Sequence, residues 1–168
     1  NMIGMAMAKG LEERGQVGAT HMGTGFDAWY PGYIDYKPML QNIASFWTET
    51  ALFQYATPRF YTPNDFPADM RDLRPQSLYS SPWPGGWWRV RDIVENQKIV
   101  AWSIVDLAAR SREDLLWNMY LKGTRQSERG ATGAVKAYVI AAEQHDPLTV
   151  KKLANLLLES GVEVHQAR

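Results

Sequence analysis

The chain has 168 residues, 45% hydrophobic and 21% charged, proportions that suit one ordinary folded domain or one domain plus part of another. Its 18 basic and 18 acidic residues cancel, and the basic ones are scattered, which argues against a nucleic-acid surface. With no cysteine there is no disulfide framework and no thiolate metal site, and no apolar run approaches the length of a membrane span.

In chain order, Met2, Ile3, Met5, Ala6, Met7 and Leu11 put an apolar face on a helix that Gly15 stops. The methionines read as core packing. A helix that begins at the first residue reads as an internal piece of a longer polypeptide, so the lack of a leader says nothing about export. Residues 17–21 predict a short strand. Residues 23–36 predict a loop, with glycines at 23, 25 and 32 and a Pro31-Gly32 turn signal.

The stretch Ile43-Ala44-Ser45-Phe46-Trp47-Thr48-Glu49-Thr50-Ala51-Leu52-Phe53 is the most apolar in the chain and holds one carboxylate. Its aromatic and β-branched residues predict a strand over 46–51, buried on at least one face. A buried Glu49 needs a compensating charge, a metal or strong donors. Two readings stay open: a general base poised in a cleft, or a structural carboxylate paired with an arginine such as Arg59 or Arg89.

Residues 57–88 carry prolines at 58, 63, 67, 75, 82 and 84 and predict a long irregular segment, a kind that usually has a task such as walling a site. Its end, Tyr79-Ser80-Ser81-Pro82-Trp83-Pro84-Gly85-Gly86-Trp87-Trp88, reads equally as an aromatic lid or as a plug over a helix layer. Apolar positions 90, 93, 94, 101, 104, 105, 108, 115, 116 and 119 keep helical spacing over residues 90–120, with a break near Ser111. Residues 122–136, rich in Gly and charge, predict a linker. Beyond it, strand 137–140, a helix capped by Asp146 and Pro147 and ended by Ser160-Gly161, and strand 162–164 predict a strand–helix–strand crossover that opens a second domain.

Among the other candidate residues, His21 sits at the mouth of the glycine loop, where it either serves as a donor to a substrate carbonyl or carboxylate or is a lone structural histidine. Asp27 either bonds its own backbone in a turn or lines a pocket for a basic side chain. His145 and His165 have no neighbours at ligand spacing. Three isolated histidines and no cysteine make no zinc site within the chain.

The order of helix, short strand, glycine loop Gly23-Thr24-Gly25-Phe26-Asp27-Ala28-Trp29, strand Phe46-Trp47-Thr48-Glu49-Thr50 and long helix resembles the C-terminal half of a zinc carboxypeptidase of the carboxypeptidase A type. The stretches Asn42-Ile43-Ala44-Ser45-Phe46-Trp47-Thr48-Glu49-Thr50-Ala51 and Pro84-Gly85-Gly86-Trp87-Trp88-Arg89 are similar to those of its large bacterial members. The resemblance covers residues 1–122. After a 123–136 linker, residues 137–168 resemble the start of a glutamine-amidotransferase-like accessory domain. It implies an α/β class, with a partial mixed-sheet α/β/α peptidase domain followed by the crossover unit.

The resemblance further implies a peptide substrate and a secreted or periplasmic hydrolase whose zinc ligands and carboxylate-binding arginines lie upstream of Asn1, in the missing N-terminal half of the same domain. Glu49 matches the general base. His21, Gly25, Asp27 and Tyr30 would contact substrate. The substrate-closing tyrosine of the family has no clean counterpart, since this chain has Thr20-His21-Met22 there, with Tyr30 and Tyr33 further on. A function of a different class also fits the residues: a non-catalytic module whose aromatic loops, 26–36 and 79–88, stack a sugar or a peptide.

Overall fold

The computed structural model describes residues 2–20 and 33–167. These fall into two compact units, one formed by residues 2–20 and 48–112 and the other by residues 33–47 and 113–167. Among the described residues the chain is mostly helical, and its one sheet is a two-stranded antiparallel ribbon.

In the first unit, α1 spans Met2–Glu13 and α3 spans Val90–Arg110, and the two helices pack together. Gly10, buried in α1, lies against α3. A Cβ there would stand 2.0 Å from Ser103 Oγ and 3.6 Å from Ile99 Cγ2, so only glycine lets the helices come this near. Ile99, 5% exposed, centres that interface. The helix stops where the sequence predicts. Gly15 takes φ +66°, and the Gln16 N–H reaches back to Leu11 O at 2.9 Å, closing the orphan carbonyls of the last turn.

The predicted irregular segment contains the ribbon: β1 (Arg59–Tyr61) pairs with β2 (Gly86–Trp88) in the register Arg59–Trp88, Phe60–Trp87, Tyr61–Gly86. Strands of three residues are too short to show an alternating pattern, so sequence periodicity passes over them. Gly85 makes the ribbon possible. It holds φ +93°, and a Cβ on it would stand 2.4 Å from Tyr61 O. On one side of the ribbon Trp83 packs against Tyr61, Phe66 and Trp88, with ring centroids 5.9, 5.7 and 5.4 Å away. Buried Tyr79 supports this cluster, its hydroxyl accepting from the Trp83 N–H at 2.9 Å. Trp83 is therefore held within an aromatic cluster on the ribbon. The other side of the ribbon presents Phe60 and Trp87, which meet edge to face at 5.7 Å and stay exposed. The loop is also tied to α1: Ser80 and Ser81 donate to the two carboxylate oxygens of Glu12 at 2.9 and 2.8 Å, and the Gly18 N–H donates to Ser81 O at 2.8 Å.

In the second unit, α2 (Tyr36–Met39) turns at Asn42, which has φ +62°. The amide of Asn42 lies beside Gly123, 3.3 Å from where a Cβ on that glycine would stand. Gly123 belongs to α4, which spans Arg112–Thr132. Ser111 breaks the predicted helical run as expected, with φ −110° and ψ 24°. Residues 123–132, expected as linker, instead continue α4: their glycines lower helix propensity, but charged and polar neighbours carry the turn regardless. In α5 (Pro147–Glu159) the Asp146 carboxylate accepts from the Thr149 N–H at 3.0 Å and from the Thr149 hydroxyl at 2.6 Å, the predicted cap.

Three expected strands do not form. Residues 17–20, 137–140 and 162–164 make no ladder, and Tyr138 and Val139 are 92% and 90% exposed. A strand exists only through its partner's hydrogen bonds: among the described residues, 17–20 have the single Gly18–Ser81 backbone bond, and no ladder joins residues 137–140 or 162–164 to another segment. Of the expected parallel crossover, only the helix is present among the described residues. The fourth expected strand, over 46–51, is also not a strand, and it carries the candidate site. No helix among the described residues is long and apolar enough to cross a membrane.

Candidate active site around Glu49

Residues 48–51 lie in the first unit as irregular chain, held by side chains in place of a ladder. From α3, Gln97 reaches both threonines that flank Glu49: its Oε1 accepts from the Thr48 hydroxyl at 3.4 Å, and its Nε2 donates to Thr50 Oγ1. From β2, the Trp88 indole N–H donates to Ala51 O at 2.7 Å. With Thr48 and Thr50 turned to the helix and half-buried, Glu49 between them is exposed.

This corrects the expectation of a buried carboxylate. Phe46 and Trp47 are also exposed, at 40% and 49%, because among the described residues no strand pairs beside them, although the Tyr33 ring stands 6.0 Å from that of Trp47. Solvent therefore meets the cost that burial would have imposed on Glu49.

The structural alternative does not occur among the described residues. Arg59 bonds Asp65, Nη2 to Oδ1 at 3.1 Å, and its guanidinium stands 4.6 Å from the ring centroids of both Phe53 and Tyr61. The Arg89 guanidinium lies over Trp87 at 5.0 Å. Asp65 itself is well held. The Thr62 N–H and hydroxyl both donate to it at 2.8 Å, and these bonds, with Arg59, hold its pKa below the usual 3.8. Glu49 takes part in no hydrogen bond or ion pair with another described residue. Its carboxylate is open to solvent.

Of the residues expected to contact substrate, His21, Gly25, Asp27 and Tyr30 all lie outside the described residues. His165 is exposed and stands 3.4 Å from the Glu163 carboxylate. Among the described residues no group of three His, Asp or Glu side chains is placed to hold a metal ion.

Sequence reasoning missed Gln97. The available signal was its position: counting by helical steps from Ile93 to Ala101, residue 97 falls on the apolar stripe, and a polar side chain there calls for a partner. The role of Trp88 was hidden by the unrecognised β2. No protein-family model, curated protein or solved structure matches this chain.

Proposed function

We propose that the chain is part of a zinc-dependent peptide hydrolase of the metallocarboxypeptidase type, secreted or periplasmic, in which residues 1–122 contribute the C-terminal half of an α/β/α peptidase domain and Glu49 is the general base. One observation carries this reading: a solvent-open carboxylate, free of ion pairs among the described residues, on a segment clamped on both sides by α3 and β2. A general base needs access and a fixed place, and the segment supplies both.

In this reading the zinc is held by residues upstream of Asn1, and none of the described residues is asked to bind it. Glu49 takes a proton from the water that attacks the scissile carbonyl and returns it to the departing amine. Positioned acid–base catalysis of this kind contributes about 10²–10⁴-fold to the rate.

The second reading, a module that stacks a sugar or peptide on aromatic rings, is favoured by the exposed Phe60–Trp87 pair with Arg89 over the indole. Glu49→Gln in the full-length protein separates the two. Gln keeps the shape but accepts no proton, so hydrolysis falls by at least about a hundredfold. Since Glu49 is exposed and makes no ion pair among the described residues, the melting midpoint and zinc content stay where they were. Unchanged turnover sinks the general-base assignment, whereas a protein that binds a sugar or peptide and hydrolyses none supports the module.

A further inference from the structure

We infer that Gln97 is the positioning residue of the site, the group that fixes where the Glu49 carboxylate points; this rests on the general-base reading above. Residues 48–51 belong to neither helix nor sheet, so no backbone ladder holds them in place. In their stead a single amide spans the base. Gln97 accepts from Thr48 on one side of Glu49 and donates to Thr50 on the other.

That bridge uses the donor and the acceptor of one side-chain amide, and Asn, which carries the same group, is one methylene shorter. It also acts across a distance in sequence, joining residues 47 and 49 positions apart, so it reports tertiary placement and not a local turn. The helix that carries it is a firm base. α3 runs for 21 residues, and Ile99, two positions on, is packed at the α1 interface. With both threonine hydroxyls drawn to α3, the side chain between them has one direction left, away from the helix. The Trp88 indole on Ala51 O then stops the segment from sliding along its own axis.

The consequence concerns turnover more than binding. A base displaced by about 1 Å costs on the order of a hundredfold, although substrate contacts made elsewhere are intact. Gln97→Met keeps the length and volume of the side chain while removing both bonds. Thr50→Val removes one hydroxyl at constant shape.

The test is a double-mutant cycle in the full-length zinc-loaded protein, comparing wild type, Gln97→Met, Glu49→Gln and the pair, with Thr50→Val as an independent route should Gln97→Met fold poorly. Gln97→Met is expected to lower kcat by about ten- to a hundredfold with KM within about twofold. It should cause no further loss once Glu49→Gln is already in place. Thr50→Val should reproduce a smaller loss with the same dependence on Glu49. Amide exchange should quicken at residues 48–51 while α1 keeps its protection. Wild-type kcat in both Gln97→Met and Thr50→Val overturns the inference and spares Glu49 as base. An equal fold-loss in the wild-type and Glu49→Gln backgrounds also overturns it, by assigning Gln97 to stability alone. Full activity of Glu49→Gln removes the general base, and the positioning role falls with it.

Discussion

Replacing Gly10 by alanine tests the packing that supports α3, and with it the clamp on Glu49. In an isolated helix the change favours folding by about 1 kcal/mol, because alanine loses less backbone entropy than glycine. At this position the added Cβ would stand 2.0 Å from Ser103 Oγ and 3.2 Å from Ser103 Cβ. Rotating the hydroxyl away forfeits its 2.8 Å hydrogen bond to Ile99 O, worth about 0.5–1.5 kcal/mol, and still leaves the Cβ contact tight. The helices must then separate, and overpacking of this sort costs about 1–3 kcal/mol. The opposing terms leave a net loss of about 0.5–3.5 kcal/mol at the α1–α3 interface.

Gly130 in α4 is the control, since nothing lies within 4 Å of a Cβ placed there. The same substitution at 130 should stabilise its helix by about 1 kcal/mol. Native-state amide exchange, read separately for α1, α3 and α4, distinguishes the two sites. Gly10→Ala should lower protection in α1 and α3 together, while Gly130→Ala raises it in α4. Unchanged or greater protection in α1 and α3 after Gly10→Ala would refute the close approach.

Gly85→Ala places a side chain 2.4 Å from Tyr61 O at φ +93°, where clash and backbone strain act together, so the β1–β2 ribbon should lose about 1–3 kcal/mol or more and the amides of 59–61 and 86–88 should exchange faster; intact protection there contradicts the ribbon's geometry. The pKa of Glu12 is lowered from its ordinary 4.5 by the Ser81 hydroxyl first and the Ser80 hydroxyl second. Its depressed folded value means that the tie between α1 and the loop contributes stability above pH 4.5, lost as the pH falls through the lowered value. An NMR titration of the Glu12 carboxyl should therefore shift back toward 4.5 in Ser80→Ala/Ser81→Ala, and an unmoved midpoint shows that the serines do not hold it.

What the sequence by itself determined is local. The Gly15 stop after α1, the break at Ser111, the Asp146 cap and the Ser160-Gly161 end of α5 are written within a few residues, because helix ends are decided by one backbone conformation or one side-chain bond. Alternation of apolar residues, by contrast, says that a segment is able to pair and never names its partner. Residues 46–51, 137–140 and 162–164 have strand character but no strand partner among the described residues, while the real strands at 59–61 and 86–88 are separated by 24 residues among prolines and glycines.

The site divides the same way. Glu49 stands out in the sequence as a lone charge among aromatics, but its exposure, its freedom from Arg59 and Arg89, and its support by Gln97 and Trp88 were decided only by the tertiary structure. The reason is physical. Burial and hydrogen-bond partnership depend on which distant residues arrive beside a side chain, and a partner that far along the chain leaves no local mark on the residue it holds.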